Sequence, residues 1–117
     1  MAEIKLNVGG AVVTVATRST LLRGREVVID GTKLVVAAPL LTKLLEFTEA
    51  LEALTDGRMK SSEFGRLRRD MIVETVRRNY PELPDAWFAE RDSIDYQEME
   101  DALKRAAQLG EATAGNP

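Results

Sequence analysis

The 117-residue chain has no cysteine and no histidine. Without cysteine there is no disulfide, no thiolate nucleophile and no cysteine zinc site. Without histidine the usual metal ligand and the proton shuttle that works near neutral pH are missing as well, and catalytic triads of the common types are excluded. Aromatic residues are scarce, with one Trp, two Tyr and three Phe, so the apolar content rests on Leu, Val and Ala. No stretch approaches the roughly 18 apolar residues that span a bilayer. The start, Met1-Ala2-Glu3-Ile4-Lys5, lacks the basic and apolar regions of a secretion signal, so a cytoplasmic location is expected. Carboxylates, lysines and hydroxyls are left for chemistry. Pairs such as Asp92 and Asp95, or Glu98 and Asp101, lie three apart on exposed helix edges, where carboxylates are ordinarily solvated. Asn7-Val8-Gly9-Gly10-Ala11 matches no nucleotide-binding fingerprint. A non-enzymatic role with no cofactor and no metal is expected.

The first portion of the chain has the period of strands. Glu3 to Val8 alternates polar and apolar residues, Gly9-Gly10 supplies the positive backbone angles of a tight turn, and Ala11 to Ala16 continues with Val12, Val13 and Val15. A second hairpin is predicted over 25–38, where Glu26-Val27-Val28-Ile29 meets Thr32-Lys33-Leu34-Val35-Val36 across Asp30-Gly31. The two hairpins are expected to form one small antiparallel sheet, with Leu21 and Leu22 pinning the connecting loop to the core.

Pro39 ends the strand region and opens a helix. Leu40, Leu44, Phe47, Leu51 and Leu54 recur at steps of four and three, and Leu41 and Leu45 widen the stripe. Such a helix is expected to dock on the apolar face of the sheet and turn Glu46, Glu49 and Glu52 outward; the alternative is that the stripe receives a partner helix. Asp56-Gly57 breaks it, and Ser61 or Ser62 is the expected cap of the next helix. That helix carries two apolar directions, Phe64, Leu67 and Met71 on one side and Ile72, Val73, Val76 and Tyr80 on another. Either its first half packs on the domain and its second half on the C-terminal helices, or one of the two surfaces receives a partner or a second copy. A last helix, with Asp95 as cap and Glu98 completing a capping box, carries Met99, Ala102, Leu103, Ala106 and Leu109 on one stripe and is expected to stop at Gly110. The organisation predicted is an α+β fold: hairpins and Leu-rich helix over 1–57, a helical unit over 58–110 and a flexible tail over 111–117, in one compact domain.

Between the last two long helices lies Arg77-Arg78-Asn79-Tyr80-Pro81-Glu82-Leu83-Pro84-Asp85-Ala86-Trp87. Pro81 disfavours the α conformation at Tyr80 and ends the incoming helix at about Asn79 or Tyr80, while Pro84 suits the first turn of a new one and Asp85 complements its positive end. A helix closing on Arg-Arg-Asn-Tyr-Pro, a Pro-Asp helix start and a last helix ending at Gly110 together resemble the tail assembly chaperones of long-tailed phages, best over 25–110. The resemblance implies a small protein of the host cytoplasm that binds the tape measure protein and keeps it soluble while tail tube subunits assemble around it, without remaining in the mature virion. It also implies a longer frameshifted product in many cases. The partners expected are the tape measure protein and the tail tube protein, with a homo-oligomer as a further expectation and no membrane. Neither the segment before Arg25 nor the uncapped start at Leu83-Pro84 follows the family pattern.

Charge is unevenly spread: seven bases stand against three acids between Arg58 and Arg78, and eight acids against Arg91 alone from Glu82 to Asp101. These halves either pair with each other or set the register of a partner. Arg66, Arg69 and Arg77 on one helix near a sharp turn superficially suggest a helix-turn-helix module, but the net charge of −3 and the adjoining acids oppose phosphate binding. A DNA-binding regulator is therefore the secondary reading, beside a head-tail connector or tail completion factor. The residues expected to contact the partner are Arg77, Arg78, Tyr80, Trp87 and Phe88, with Tyr80 and Trp87 alternatively structural. Replacing Arg77 and Arg78 by Glu is expected to weaken partner capture without unfolding the chain.

Overall fold

The structure is a computed structural model describing residues 2–115. The chain runs through strands β1 (Glu3–Val8), β2 (Ala11–Ala16), β3 (Gly24–Ile29) and β4 (Thr32–Ala37), then helices α1 (Leu41–Thr55), α2 (Ser61–Val76), α3 (Asp85–Ala89) and α4 (Ser93–Gly115). This is the expected α+β arrangement, with both hairpins where the period-two pattern puts them. Their turns are built by positive φ at both central residues, 61° and 82° at Gly9 and Gly10 and 51° and 77° at Asp30 and Gly31. This geometry matches the twist of the flanking strands. Registers run from Glu3↔Ala16 to Val8↔Ala11 and from Gly24↔Ala37 to Ile29↔Thr32.

The hairpins do not join into one sheet. They remain two separate two-stranded sheets, joined through side chains instead of a shared ladder. The chief connector is Asn79, fully buried in the turn after α2. Its Oδ1 accepts from the Leu22 N–H at 2.7 Å, and its Nδ2 donates to the carbonyls of Leu22 and Val35 at 3.1 and 2.9 Å. Its own carbonyl accepts from the Arg18 N–H at 3.0 Å. The loop between hairpins is thus held by hydrogen bonds to the backbone of Leu22; Leu21 is exposed and pins nothing.

One hydrophobic core runs through the molecule. Leu6 and Val15 come from the first hairpin and Val27, Ile29, Leu34 and Val36 from one face of the second. Ile72, Val76, Tyr80, Leu83, Trp87, Phe88, Met99 and Leu103 come from the helical part. The element lying on the second hairpin is α4, which crosses β3 and β4, and its buried Ala102 and Ala106 allow the close approach. Leu109 falls outside the residues whose side chains are described.

Several helix boundaries differ from those the sequence predicts. α2 ends at Val76, with Arg77 as its C-cap and a turn continuing to Tyr80. Lys60, not a serine, is its N-cap, and no side chain caps it. α4 begins two residues before the expected cap because Asp92 does the capping: its Oδ1 accepts from the Asp95 N–H at 2.8 Å. Gly110 does not stop α4, which continues to Gly115; the rest of the tail expected to be flexible lies outside the described residues.

The largest difference concerns α1, which does not dock on a sheet. It packs antiparallel to α2 and touches no other element to a comparable extent. The fold is correspondingly extended: its radius of gyration is 15.1 Å where about 13 Å is usual for this length, and its extents are 44 × 41 × 19 Å.

Candidate partner-binding surface

The proline corner brings all five expected contact residues together and then uses them internally. Tyr80, Trp87 and Phe88 are buried, and Trp87 and Phe88 meet edge to face with centroids 5.1 Å apart. The Tyr80 hydroxyl accepts the Val35 N–H at 2.7 Å. Val35 pairs with Glu26 at a site where antiparallel strands exchange no hydrogen bonds, so its N–H and carbonyl point off the outer edge of β4. Asn79 and Tyr80 supply the partners that a third strand would otherwise provide. Burial raises the Tyr80 pKa above its ordinary value, against the opposing effect of the Val35 hydrogen bond.

Both arginines are similarly committed. Arg77 donates to the Leu83 carbonyl through Nε at 2.9 Å and Nη2 at 2.7 Å, pairs with Asp85 at 2.7 Å and lies over the Phe88 ring, 5.1 Å from its centroid. The same Arg77 contact holds the Asp85 carboxyl below its ordinary pKa. Arg78 donates to the carbonyl of Ala38, in the link that carries β4 into α1. This is where the structure places the contact residues expected from sequence. Three of these side chains present no surface, and the other two fix Leu83, Asp85 and the approach to α1.

The opposite charges of the two halves also pair within the chain. Arg68 of α2 grips Glu100 of α4 through two nitrogens, with Nη2 to Oε1 at 2.8 Å, and Lys104 adds a second contact at 3.5 Å. Burial alone would raise the Glu100 pKa, but the Arg68 hydrogen bonds and charge outweigh it and hold the carboxyl below its usual range. Just after α3, the guanidinium of Arg91 covers Trp87 at 4.5 Å and lies 3.6 Å from both Glu90 and Asp95.

What remains open is α1. Ala50 is its one buried residue, while Phe47 packs on Phe64 of α2 with centroids 5.3 Å apart. Lys43 pairs with Glu74 of α2 at 3.3 Å; that hydrogen bond and charge raise its pKa. On the far side Leu41, Leu45, Leu40 and Leu51 are 69, 54, 51 and 46 % exposed, and Leu44 is half-buried between them. At about 100° per residue these five fall within one arc of roughly 140°, the breadth of an ordinary core-facing stripe, which the exposed Thr48, Glu52 and Thr55 share toward the C-terminal half. Among the described residues the other large exposed apolar residues, Val12, Leu21, Val28 and Ile94, lie on three different elements and a loop and are the scattered kind that every surface carries. The sequence held a signal for this: the doublets Leu40-Leu41 and Leu44-Leu45 are too wide for a helix with one packed neighbour.

Another surface feature lacks this character. A cleft of about 550 Å³ between β3 and α4 is lined by Arg25, Glu26, Glu98, Asp101 and Arg105, a mixed set of exposed charges. Among the described residues no helix is long and apolar enough to cross a membrane. Comparison with family models, with curated proteins and with solved structures returned no match for this chain.

Proposed function

We propose that this chain is a non-enzymatic tail assembly chaperone, which keeps a long helical tape measure protein soluble by laying the leucine face of α1 against apolar stripes of that partner. The observation that carries the reading is the contiguous exposure of Leu40, Leu41, Leu45 and Leu51 on a helix whose opposite side is already packed. A folded chain seldom leaves a contiguous apolar patch of more than a few hundred Å² to water unless another molecule covers it, and an amphipathic helix is the common occupant of such a face. The Arg-Arg-Asn-Tyr-Pro corner, which carries the resemblance to this family, supports the reading differently from the way the sequence implies. It fixes the connection into α1 through Arg78 and Ala38.

The test is co-expression with the tape measure protein made alongside it, reading soluble yield. The wild-type chain raises that yield, and L41E/L45E, which alters exposed side chains alone, does not. An unchanged yield with the wild-type chain overturns the proposal.

A further inference from the structure

On its Leu45 side the leucine face is bordered by carboxylates of α1, and Arg58, which lines one cleft with Glu49, is paired with Asp56 at 2.9 Å. Glu49 stands one turn beyond Leu45 and points about 40° outside the arc, while Glu52 points about 20° inside it, so the two carboxylates flank the direction of Leu45 at the edge of the patch, in the C-terminal half of α1. Both are exposed, and among the described residues neither has an ion-pair partner. Lys43, the single base of α1, is on the other side of the helix, held by Glu46 at 3.5 Å and Glu74 at 3.3 Å. The free margin of the patch is thus acidic, and no base of α1 offsets it.

From this complementarity we infer that the occupant of α1 is an amphipathic helix carrying lysine or arginine along one margin of its apolar stripe. The inference rests on α1 being the docking face, and it adds the chemistry of what docks. α1 is 15 residues long, or about 22 Å at 1.5 Å per residue, so the occupant covers about four turns. Its leucine-type residues recur every three or four positions, and its bases sit where Glu49 and Glu52 reach them. Margin charges at an interface act mainly on encounter and register, with a modest share of affinity. A second copy of this chain fits less well, since its α1 brings the same glutamates and no free base.

The experiment titrates the full chain, by fluorescence anisotropy, with three synthetic amphipathic peptides. They share one leucine stripe and carry Lys, Gln or Glu along one margin. The Lys peptide binds about fivefold more tightly than the Gln peptide at low salt, as expected for two exposed pairs, the Glu peptide binds most weakly, and the spread narrows as salt rises. E49K/E52K reverses the order and E49Q/E52Q removes it, while helical circular dichroism stays unchanged. Equal affinity for all three peptides overturns the charge rule but leaves the docking face standing. No binding of any peptide, or binding that survives L41E/L45E, overturns the docking face itself. A dimer in sedimentation that L45E dissolves assigns the face to a second copy and overturns the inference.

Discussion

The carboxamide of Asn79 satisfies both backbone polar groups of Leu22, accepting its N–H at 2.7 Å and donating to its carbonyl at 3.1 Å. The same Nδ2 reaches the Val35 carbonyl at 2.9 Å, so one buried side chain serves the connecting loop and the edge of β4 together. Asn79→Ala strands three part-buried backbone groups and should cost about 3 kcal/mol. Asn79→Asp is expected to be worse, because it sets a carboxylate against two carbonyls. Urea unfolding midpoints of the two variants check this order.

Tyr80→Phe removes only the acceptor of the Val35 N–H and should cost about 1 to 2 kcal/mol. Its pH behaviour is more diagnostic. The folded pKa of Tyr80 is raised, so its contribution is complete below the ordinary tyrosine value of about 10 and is lost as pH rises through the folded value. Wild type should therefore lose stability at alkaline pH by a step that Tyr80→Phe lacks, measured as unfolding free energy against pH.

The Arg68–Glu100 pair predicts an asymmetry. Glu100 is buried and Arg68 is partly exposed, so Arg68→Ala leaves a buried carboxylate with only Lys104 nearby, whereas Glu100→Ala leaves a guanidinium that water can reach. The first should cost about 2 to 3 kcal/mol and the second less, and Glu100→Leu should be close to neutral. The folded pKa of Glu100 is lowered, so its contribution is complete above the ordinary carboxylate value of about 4.3 and is lost as pH falls through the folded value. Acid unfolding followed by circular dichroism should lose that step in Glu100→Leu.

Arg77→Glu now carries a different expectation from the one the sequence supports. The variant places an anion beside the Leu83 carbonyl and Asp85 and uncovers Phe88, so it should lower the melting temperature. L41E/L45E should leave it nearly unchanged, since exposed substitutions usually stay within about 0.5 kcal/mol. If Arg77→Glu melts with wild type, the internal role assigned to that arginine is wrong.

Gly24 is required by close approach: a Cβ there would stand 2.0 Å from the Val36 carbonyl oxygen. Gly24→Ala should force the paired strands apart at the open end of the second hairpin. Hydrogen exchange should then speed up in β3 and β4 but not in β1 and β2.

The hairpins were legible because period two and the pairs Gly9-Gly10 and Asp30-Gly31 act locally, within a few residues. The corner was legible for the same reason, as Pro81 and Pro84 constrain their immediate neighbours. The place of α1 was not: periodicity reveals that Leu40 to Leu54 form an apolar surface, but what covers it depends on which other element arrives first. α4 takes the sheet face that α1 was expected to fill. Nor did the sequence mark Asn79, since an Asn in a turn is usually a local backbone device, and only the tertiary fold reveals that it reaches Leu22 and Val35. The five residues of the expected contact region were found as a group because they stand in or beside the corner. The burial of Tyr80, Trp87 and Phe88 could not be read from spacing.

The separation of the two sheets has a consequence for the order in which the chain folds. Each hairpin closes across two residues, whereas the bonds that tie the loop between them and the first turn to the helical part span 57 positions from Leu22 to Asn79 and 81 from Gly9 to Glu90. Because loop-closure entropy delays distant contacts, both hairpins and the α1–α2 pair can form while the chain is still open, and the Asn79 clamp closes late. Until it does, the inner faces of both sheets are as bare as α1. A chain that folds in this order carries three uncovered apolar surfaces before the clamp closes, and the finished protein keeps one.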